Sequence, residues 1–265
     1  MSERPADTWA SGAPYEHYVG RWSVLVGREF IAWLAVPFGA RWLDVGCGTG
    51  ALSEIIGEHA SPAAIDGIDP SEGFLTYARE RIEDERVRFH LGDAQELPFA
   101  EATFDATVAG LVLNFVPDAA RAVAEMARVT RPGGIVAAYV WDYAGEMQLM
   151  RHFWTAAAEL DPAAIELDEG RRFPIAKPEV LEQLFVGAGL RDVAVRAIDI
   201  PTVFRDFDDY WSPFLGGQGP AGAYAVSLAA DRQVALRRRI SAGLPIAEDG
   251  SIPLIARAWG VRGRK

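Results

Sequence analysis

A glycine-rich segment between a short apolar run and an amphipathic stretch constrains the fold of this chain more than any other feature. Residues 42–45 are Trp-Leu-Asp-Val, and Gly46, Gly48 and Gly50 follow before a helical pattern at 51–58. Glycine is needed at such a turn because the backbone takes positive φ there, or because it must lie close to a ligand. The segment therefore predicts a ligand at the carboxyl end of the first strand of an α/β sheet.

Predicted strands and helices alternate along the rest of the chain. The strands are predicted at residues 42–45, 63–68, 87–91, 104–113, 135–141, 193–200 and 252–261. Alternation of this kind is typical of a doubly wound, Rossmann-like α/β fold with a mostly parallel sheet. An Arg-Pro-Gly-Gly turn at 131–134 is expected to break the chain before the fifth strand. The last two strands lack the usual helical crossover, so at least one of them is expected to be antiparallel.

Charge and cysteine content exclude several classes of partner. The formal net charge is −11, and nucleic-acid binding depends on clustered Lys and Arg, so no nucleic-acid partner is expected. The one internal basic run, 237–239, is interpreted as a solvated helix face. Cys47 is the only cysteine, which excludes an internal disulfide and a multi-thiolate metal site and predicts a reducing, cytoplasmic location. No stretch has the roughly 18 consecutive apolar residues of a membrane span, so no membrane partner is expected.

An acidic residue follows the second predicted strand. Asp69 lies 23 residues after Gly46, followed by Pro70 and Ser71. That interval places a carboxylate beside the glycine turn, where it can accept hydrogen bonds from ribose hydroxyls. The same position suits an adenosyl cofactor or NAD. The alternative interpretation is an N-cap for the next helix, although Ser71 can fill that role.

The segment after the third predicted strand separates these two cofactors. Asp93 can accept a hydrogen bond from an adenine amino group, and the backbone N–H of Ala94 can donate to a ring nitrogen. Gln95 completes the polar part of the segment, and Leu-Pro-Phe follows at 97–99. A dehydrogenase has no reason to keep this segment, so the pattern favours an adenosyl cofactor other than NAD.

These motifs occur together in the order of one known family. With Asp44 ahead of the glycines, Asp69 and Asp93 after the next strands, and the turns at 97–99 and 131–134, residues 41–143 resemble the class I S-adenosylmethionine-dependent methyltransferases. The similarity is to the branch with a methyltransferase type 11 domain that includes ubiquinone/menaquinone C-methyltransferases. It implies a seven-stranded sheet of order 3-2-1-4-5-7-6 with the last strand antiparallel, and S-adenosylmethionine as cofactor.

The resemblance also assigns candidate site residues. Those implied for cofactor binding are Tyr18, Arg21, Trp22, Asp44, Gly46, Cys47, Gly48, Asp69, Pro70, Asp93, Ala94, Gln95 and Leu111. Those expected in the substrate pocket are Asn114, Phe115, Tyr143 and Trp211. In similar enzymes the N-terminal helix folds over the cofactor, so Tyr18 or Arg21 is expected to meet the methionine carboxylate. The alternative is that the aromatic residues only pack and that Arg21 is solvated.

The chain is interpreted as a single methyltransferase domain, residues 1–265. It comprises an N-terminal helix within 14–40, the cofactor-binding core at 41–143, and two segments, 144–189 and 201–251, expected to cap the substrate. The alternative for the aromatic-rich insertion 201–251 is plain packing of accessory helices.

The predicted activity is methyl transfer to a small molecule by in-line displacement. No residue is assigned as an essential base, because a sulfonium methyl group is already electrophilic and the protein must mainly align the reactants. Residues 110–115 lack the Asn/Asp-Pro-Pro-aromatic motif of nucleic-acid amino methyltransferases, and they lack the histidine frequent in quinone-type relatives. A non-catalytic protein that binds the cofactor and an NAD(P)-dependent oxidoreductase are the alternatives.

Overall fold

A seven-stranded sheet organises residues 20–265, the part of the chain that the computed structural model describes. The strands are β1 Arg41–Val45, β2 Ala64–Asp69, β3 Val87–Leu91, β4 Phe104–Gly110, β5 Thr130–Trp141, β6 Arg191–Phe204 and β7 Ile252–Arg264. Their order across the sheet is β3-β2-β1-β4-β5-β7-β6. β1 to β5 pair in parallel, whereas β7 runs antiparallel to β5. The predicted fold class, strand order and antiparallel last strand are confirmed.

Helices precede, connect and follow these strands. They are α1 Arg21–Leu34, α2 Ala51–His59, α3 Glu72–Arg81, α4 Ala119–Val129, α5 Gln148–Leu160, α6 Glu169–Arg172, α7 Pro178–Gly187, α8 Phe207–Trp211, α9 Gly219–Ser227 and α10 Ala230–Gly243. Short 3-10 segments occur at Pro162–Leu167 and Ser212–Gly216. The predicted N-terminal helix is observed as α1, and residues 14–19 of the predicted segment, with Tyr18, lie outside the described part.

The described residues group into two units. The sheet unit consists of Ser23–Trp141, Ile175–Ile198 and Ala258–Lys265. The second unit consists of Asp142–Pro174 and Asp199–Arg257, and residues 20–22 also belong to it. The motifs at 43–99 all belong to the sheet unit.

The core of the sheet unit is formed by strands covered on both faces. Trp42, Leu43 and Val45 of β1 are fully buried, as expected of a central parallel strand. On α4, Val123 and Met126 recur at helical spacing and are also fully buried against the sheet unit's interior. Because β1 to β5 run parallel, their carboxyl ends meet at one edge of the sheet.

Two segments depart from the predicted strand bounds near the middle of the sheet. β4 ends at Gly110, three residues earlier than predicted, because Leu111 takes a left-handed conformation with φ of 59°. The turn at 131–134 does not precede β5 but forms an irregularity within it. Phe104 pairs with Thr130 and Ala106 with Ile135, so residues 131–134 face the single residue Asp105 and leave the ladder with β4 without ending the strand.

The edge strands β3 and β6 also differ from simple expectation. Val87, Phe89 and Leu91 alternate in β3 as predicted, but Leu91 is 58% exposed because β3 has a neighbour on one side only. β6 continues to Phe204 although the strand was predicted to end before Pro201. Proline is tolerated in an edge strand because its missing N–H need not join the ladder.

The second unit has an aromatic core of its own. The ring of Phe153 stacks on Phe214 at 4.5 Å and on Trp211 at 6.4 Å between centroids. The buried Tyr210 hydroxyl donates to the backbone carbonyl of Leu149 at 2.8 Å. Trp211 is 2% exposed, so this predicted pocket residue serves as core packing in the unit where it lies.

Two further features of the described residues bear on partners. None of the helices there combines the length and hydropathy needed to cross a lipid bilayer. Over the same residues, His, Cys, Asp and Glu side chains do not gather in groups of three or more that could hold a metal ion.

Candidate cofactor site

The glycine turn between β1 and α2 adopts the backbone conformation that its sequence predicts. Gly46, Gly48 and Gly50 have φ of 68°, 53° and 83°. The N–H groups of Gly46 and Cys47 both donate to the carbonyl of Ile68, at 2.7 and 3.0 Å, which ties the turn to β2. A Cβ built on Gly48 would meet no atom of residues 20–265 within 4 Å. The turn thus presents an open, side-chain-free face at Gly48.

The carboxylate of Asp69 links this turn to the following helix. One oxygen accepts a hydrogen bond from the N–H of Gly48 at 3.0 Å, and the other accepts from Ser71 at 2.8 Å. Asp69 is 6% exposed, and burial raises the pKa of its carboxyl group. Ser71 itself caps α3 by accepting from the N–H of Phe74, so the cap does not depend on the Asp69 side chain.

The tip of β3 joins the same arrangement. The N–H of Gly92 donates to the carbonyl of Asp69 at 3.1 Å. Asp93 is largely exposed and accepts from the backbone and side-chain N–H groups of Gln95, which hold the pKa of its carboxyl below the usual value. The structure therefore brings together the three strand tips on which the sequence prediction depended.

Asp44 carries an unsatisfied oxygen beneath the turn. Its Oδ2 accepts from the hydroxyl of Ser53 at 2.7 Å, whereas Oδ1 is buried with no hydrogen-bond partner among residues 20–265. Burial raises the pKa of Asp44 to about 7. A buried oxygen without a partner costs free energy that a charged or donating ligand group can offset. The residues present therefore fit an adenosyl cofactor whose amino-acid part carries an ammonium group.

Stability should depend on pH through Asp44. Because its pKa is raised from 3.8 to about 7 on folding, the folded state holds the proton more tightly. The stability that this tighter proton binding contributes is fully present below about pH 4 and is lost as the pH rises to about 7. Asp44→Asn should remove this loss, making the fall in Tm over that interval smaller by roughly 5 °C.

The measurement is Tm by circular dichroism at a series of pH values. Glu169→Gln is the matched control, because burial also raises the pKa of Glu169 to about 7 but in the second unit. Glu169→Gln should remove the pH dependence of Tm that Glu169 contributes. It should keep the pH dependence that Asp44 contributes. Identical pH profiles for Asp44→Asn and the parent protein would contradict the assignment.

The loop after β4 closes one side of the glycine turn. The side chain of Val112 occupies the position that a Cβ on Gly46 would take, so only glycine allows this contact. Leu111 is 9% exposed and Phe115 is 38% exposed. The predicted residues Leu111, Asn114 and Phe115 thus belong to the loop that contacts the glycine turn.

Other predicted residues lie in the second unit or play packing roles. Arg21 pairs with Asp209 at 3.2 Å, and its guanidinium lies 4.4 Å from the ring centroid of Trp22. Tyr143 is buried, with its ring 5.5 Å from that of Phe173. Burial raises the pKa of the Cys47 thiol, so it is a small, protonated side chain within the turn.

Sequence reasoning missed the partners of these residues. Ser53 binds Asp44, and Val112 contacts Gly46, but neither residue belongs to a recognisable motif. The only indication for Ser53 was a small polar side chain in the first turns of the helix that follows the glycines. That feature is too common to be assigned without the contact.

Comparison with known proteins agrees with this geometry. A family model described as a methyltransferase domain matches residues 43–138. With the strand order and the linked strand tips, the match confirms the resemblance to class I S-adenosylmethionine-dependent methyltransferases: the matched residues form a methyltransferase domain of this class. S-adenosylmethionine is the cofactor of that class.

Curated relatives share this core. The demethylmenaquinone methyltransferase of Halalkalibacterium halodurans is 38% identical over 133 residues, covering 46% of this chain and 54% of the relative. That of Staphylococcus aureus (strain MRSA252) is 43% identical over 108 residues, covering 39% and 44%. The chain thus spans about half the length of the curated relatives it matches.

Solved structures extend the likeness beyond the core. The YcgJ protein of Bacillus subtilis has a TM-score of 0.61 at 18% identity, covering 90% of this chain and 97% of that one. Phosphoethanolamine N-methyltransferase 2 of Haemonchus contortus, solved in complex with S-adenosyl-L-methionine, has a TM-score of 0.60 at 17% identity, covering 96% and 56%. At these identities the likeness establishes the fold alone.

Proposed function

We propose that this protein transfers the methyl group of S-adenosylmethionine to a small-molecule acceptor. The observation that carries the proposal is the open backbone face at Gly48 beside the buried carboxylate of Asp69, where the tips of β1, β2 and β3 meet. A carboxylate there can accept from both ribose hydroxyls, and a side-chain-free backbone permits close approach. Asp93 and the N–H of Ala94 would receive the adenine, and Asp44 the ammonium group.

The chemistry asks little of the protein beyond alignment. When bound, S-adenosylmethionine supplies a methyl group on a sulfonium, which an acceptor's electron pair can attack in line. The residues of the glycine turn, with Asp69 and Asp93, would hold the donor in place. The loop at 111–115 would exclude water and orient the acceptor. No side chain of the chain is required as a base where the acceptor ionises by itself.

The relatives and the net charge of the chain limit the classes of methyl acceptor to test first. The names of the relatives make an aromatic quinol the first class to test, although the shared identity is confined to the core that would bind the donor. The net charge of −11 disfavours nucleic acid. Segments 144–189 and 201–251 remain the proposed determinants of acceptor choice, and a cytoplasmic location remains a prediction from the single cysteine.

Titration calorimetry with S-adenosylhomocysteine and with NAD tests the donor site. We expect binding of S-adenosylhomocysteine and at least about tenfold weaker binding of NAD, because the segment at 93–99 suits an adenosyl group without a second nucleotide. Preference for NAD would favour the oxidoreductase alternative instead.

A screen with isotopically labelled S-adenosylmethionine tests catalysis. The panel should contain quinols, phenols, amines and thiols, and transfer of label to any of them separates an enzyme from a non-catalytic binding protein. Binding of the donor without transfer to any acceptor would favour the non-catalytic alternative.

A further inference from the structure

The side-chain amide of Asn114 is buried but makes no hydrogen bond. Both its Oδ1 and Nδ2 atoms lack a partner among the described residues. By contrast, the buried hydroxyls of Thr107 and Thr130, also in the sheet unit, pair with each other at 2.7 Å. An unsatisfied buried group costs about 1–3 kcal/mol, and proteins retain few of them. A ligand that pairs with the amide would explain why both of its atoms lack partners.

The position of Asn114 is set by two anchors of its loop. At one end, the side chain of Val112 packs on Gly46 in the glycine turn. At the other end, the N–H of Asp118 donates to the side-chain oxygen of Gln95 at 3.1 Å. Gly46 and Gln95 both belong to the proposed cofactor site, so the loop bridges two parts of that site and carries Asn114 between them.

The local backbone holds the loop in a defined turn. Leu111 has φ of 59°, and the N–H of Phe115 donates to the carbonyl of Val112 at 2.8 Å. Arg121, in the first turn of α4, adds a hydrogen bond from its Nε to the carbonyl of Gln95 at 2.8 Å. A side chain on a turn braced in this way is oriented before any ligand binds, as a selecting residue requires.

We propose that Asn114 orients the methyl acceptor, and that the acceptor carries a hydroxyl group next to a second oxygen, as in a catechol. This inference rests on the proposed methyl transfer. An amide presents one acceptor and one donor side by side, which match a hydroxyl hydrogen and a neighbouring oxygen. A carboxylate or phosphate would satisfy only the N–H half, and an ammonium group only the oxygen half.

In the reaction Asn114 takes no proton. One hydroxyl oxygen of the acceptor forms the new bond to the methyl carbon as the carbon–sulfur bond breaks, with its electron pair remaining on sulfur. The hydroxyl proton is released to water. Asn114 is therefore a positioning residue that selects the acceptor and sets its angle of approach.

Asn114→Leu tests the proposal, with Asn114→Ala as a second variant of smaller volume. The probes are catechol and phenol, with methyl transfer followed by labelled S-adenosylmethionine. For the parent protein we expect kcat/KM for catechol to exceed that for phenol by about tenfold or more, since the second oxygen adds a hydrogen bond. In both variants that ratio should fall to about one, mainly through a raised KM for catechol.

Two measurements separate a role in orienting the acceptor from a role in binding the cofactor or in stabilising the fold. Affinity for S-adenosylhomocysteine should stay within about twofold, and Tm without acceptor should be unchanged or higher, because an unpaired buried amide is removed. Thr202→Val is the matched control, since the hydroxyl of Thr202 is also buried without a partner among the described residues but belongs to the second unit. The control should leave the catechol-to-phenol ratio unchanged.

The possible failures are distinguishable. A parent protein that binds S-adenosylhomocysteine yet methylates neither probe would overturn the acceptor class. A lower Tm in both Asn114 variants would identify a structural amide, and a tenfold loss of S-adenosylhomocysteine affinity would assign Asn114 to the cofactor. If the parent protein binds no S-adenosylhomocysteine, the proposed function itself fails.

Discussion

Asp69→Ala is expected to weaken binding of S-adenosylhomocysteine by about 100-fold or more. Hydrogen bonds to a charged group contribute about 1.5–3 kcal/mol each, and the carboxylate is placed to accept from two ribose hydroxyls. The substitution also frees the N–H of Gly48, which donates to Asp69 at 3.0 Å, so the glycine turn loses one of its braces. Both effects weaken binding of the same ligand. The strands and helices around the site should stay folded.

Calorimetry with S-adenosylhomocysteine measures the loss, and far-UV circular dichroism checks the fold. Asp66→Ala is the matched control, because Asp66 is a buried carboxylate of the same strand that pairs with His90 at 2.7 Å, three residues before the tip. We expect the control to lower stability while keeping the affinity. Near-normal affinity in Asp69→Ala would show that the carboxylate does not contact the cofactor.

Gly48→Val is the second large effect, with an expected loss of S-adenosylhomocysteine affinity of at least about tenfold. A valine at φ of 53° is strained, which lowers stability by about 1–3 kcal/mol. The branched side chain would also project into the open face beside Asp69, where the cofactor is proposed to lie. The binding loss should therefore exceed what strain alone explains.

Gly133→Val separates the two causes. Gly133 has φ of 79° and, as at Gly48, a Cβ placed on it would meet no described atom within 4 Å, but it lies in the irregular part of β5. Both variants should lose similar stability in thermal unfolding, and only Gly48→Val should lose affinity in calorimetry. Equal affinities in the two variants would place the cofactor away from the glycine turn. Gly46 cannot serve as this control, since a Cβ there would strike Val112.

Local patterns accounted for most of the sheet. Apolar runs such as 42–45, covered on both faces, identify central strands, and Gly46 to Gly50 mark where the first one turns into a helix. Because parallel strands end at one edge, the spacing from Gly46 to Asp69 was enough to predict that their tips meet. The hydrogen bonds from Gly46 to Ile68 and from Gly92 to Asp69 confirm that meeting.

The site was less predictable because its contacts join residues that no pattern connects. Tyr18 or Arg21 is predicted to meet the methionine carboxylate, and no pattern in the sequence indicates the pair that Arg21 forms with Asp209, 188 positions away. Trp211, expected in the substrate pocket, packs on Phe153 in the second unit. Neither aromatic content nor charge distinguishes a pocket wall from a packed core before the partners are known.

The amino-acid sequence alone determined the fold class, the strand order through its family resemblance, and the residues at the three strand tips. Those properties depend on side chains a few positions apart, which fix the local backbone and the buried face of each element. Tertiary structure alone decided which polar atoms are satisfied, including the unpaired oxygen of Asp44 and the amide of Asn114 among the described residues. Hydrogen-bond satisfaction depends on atoms brought together from distant parts of the chain, so it is a property of the packed molecule and not of any segment.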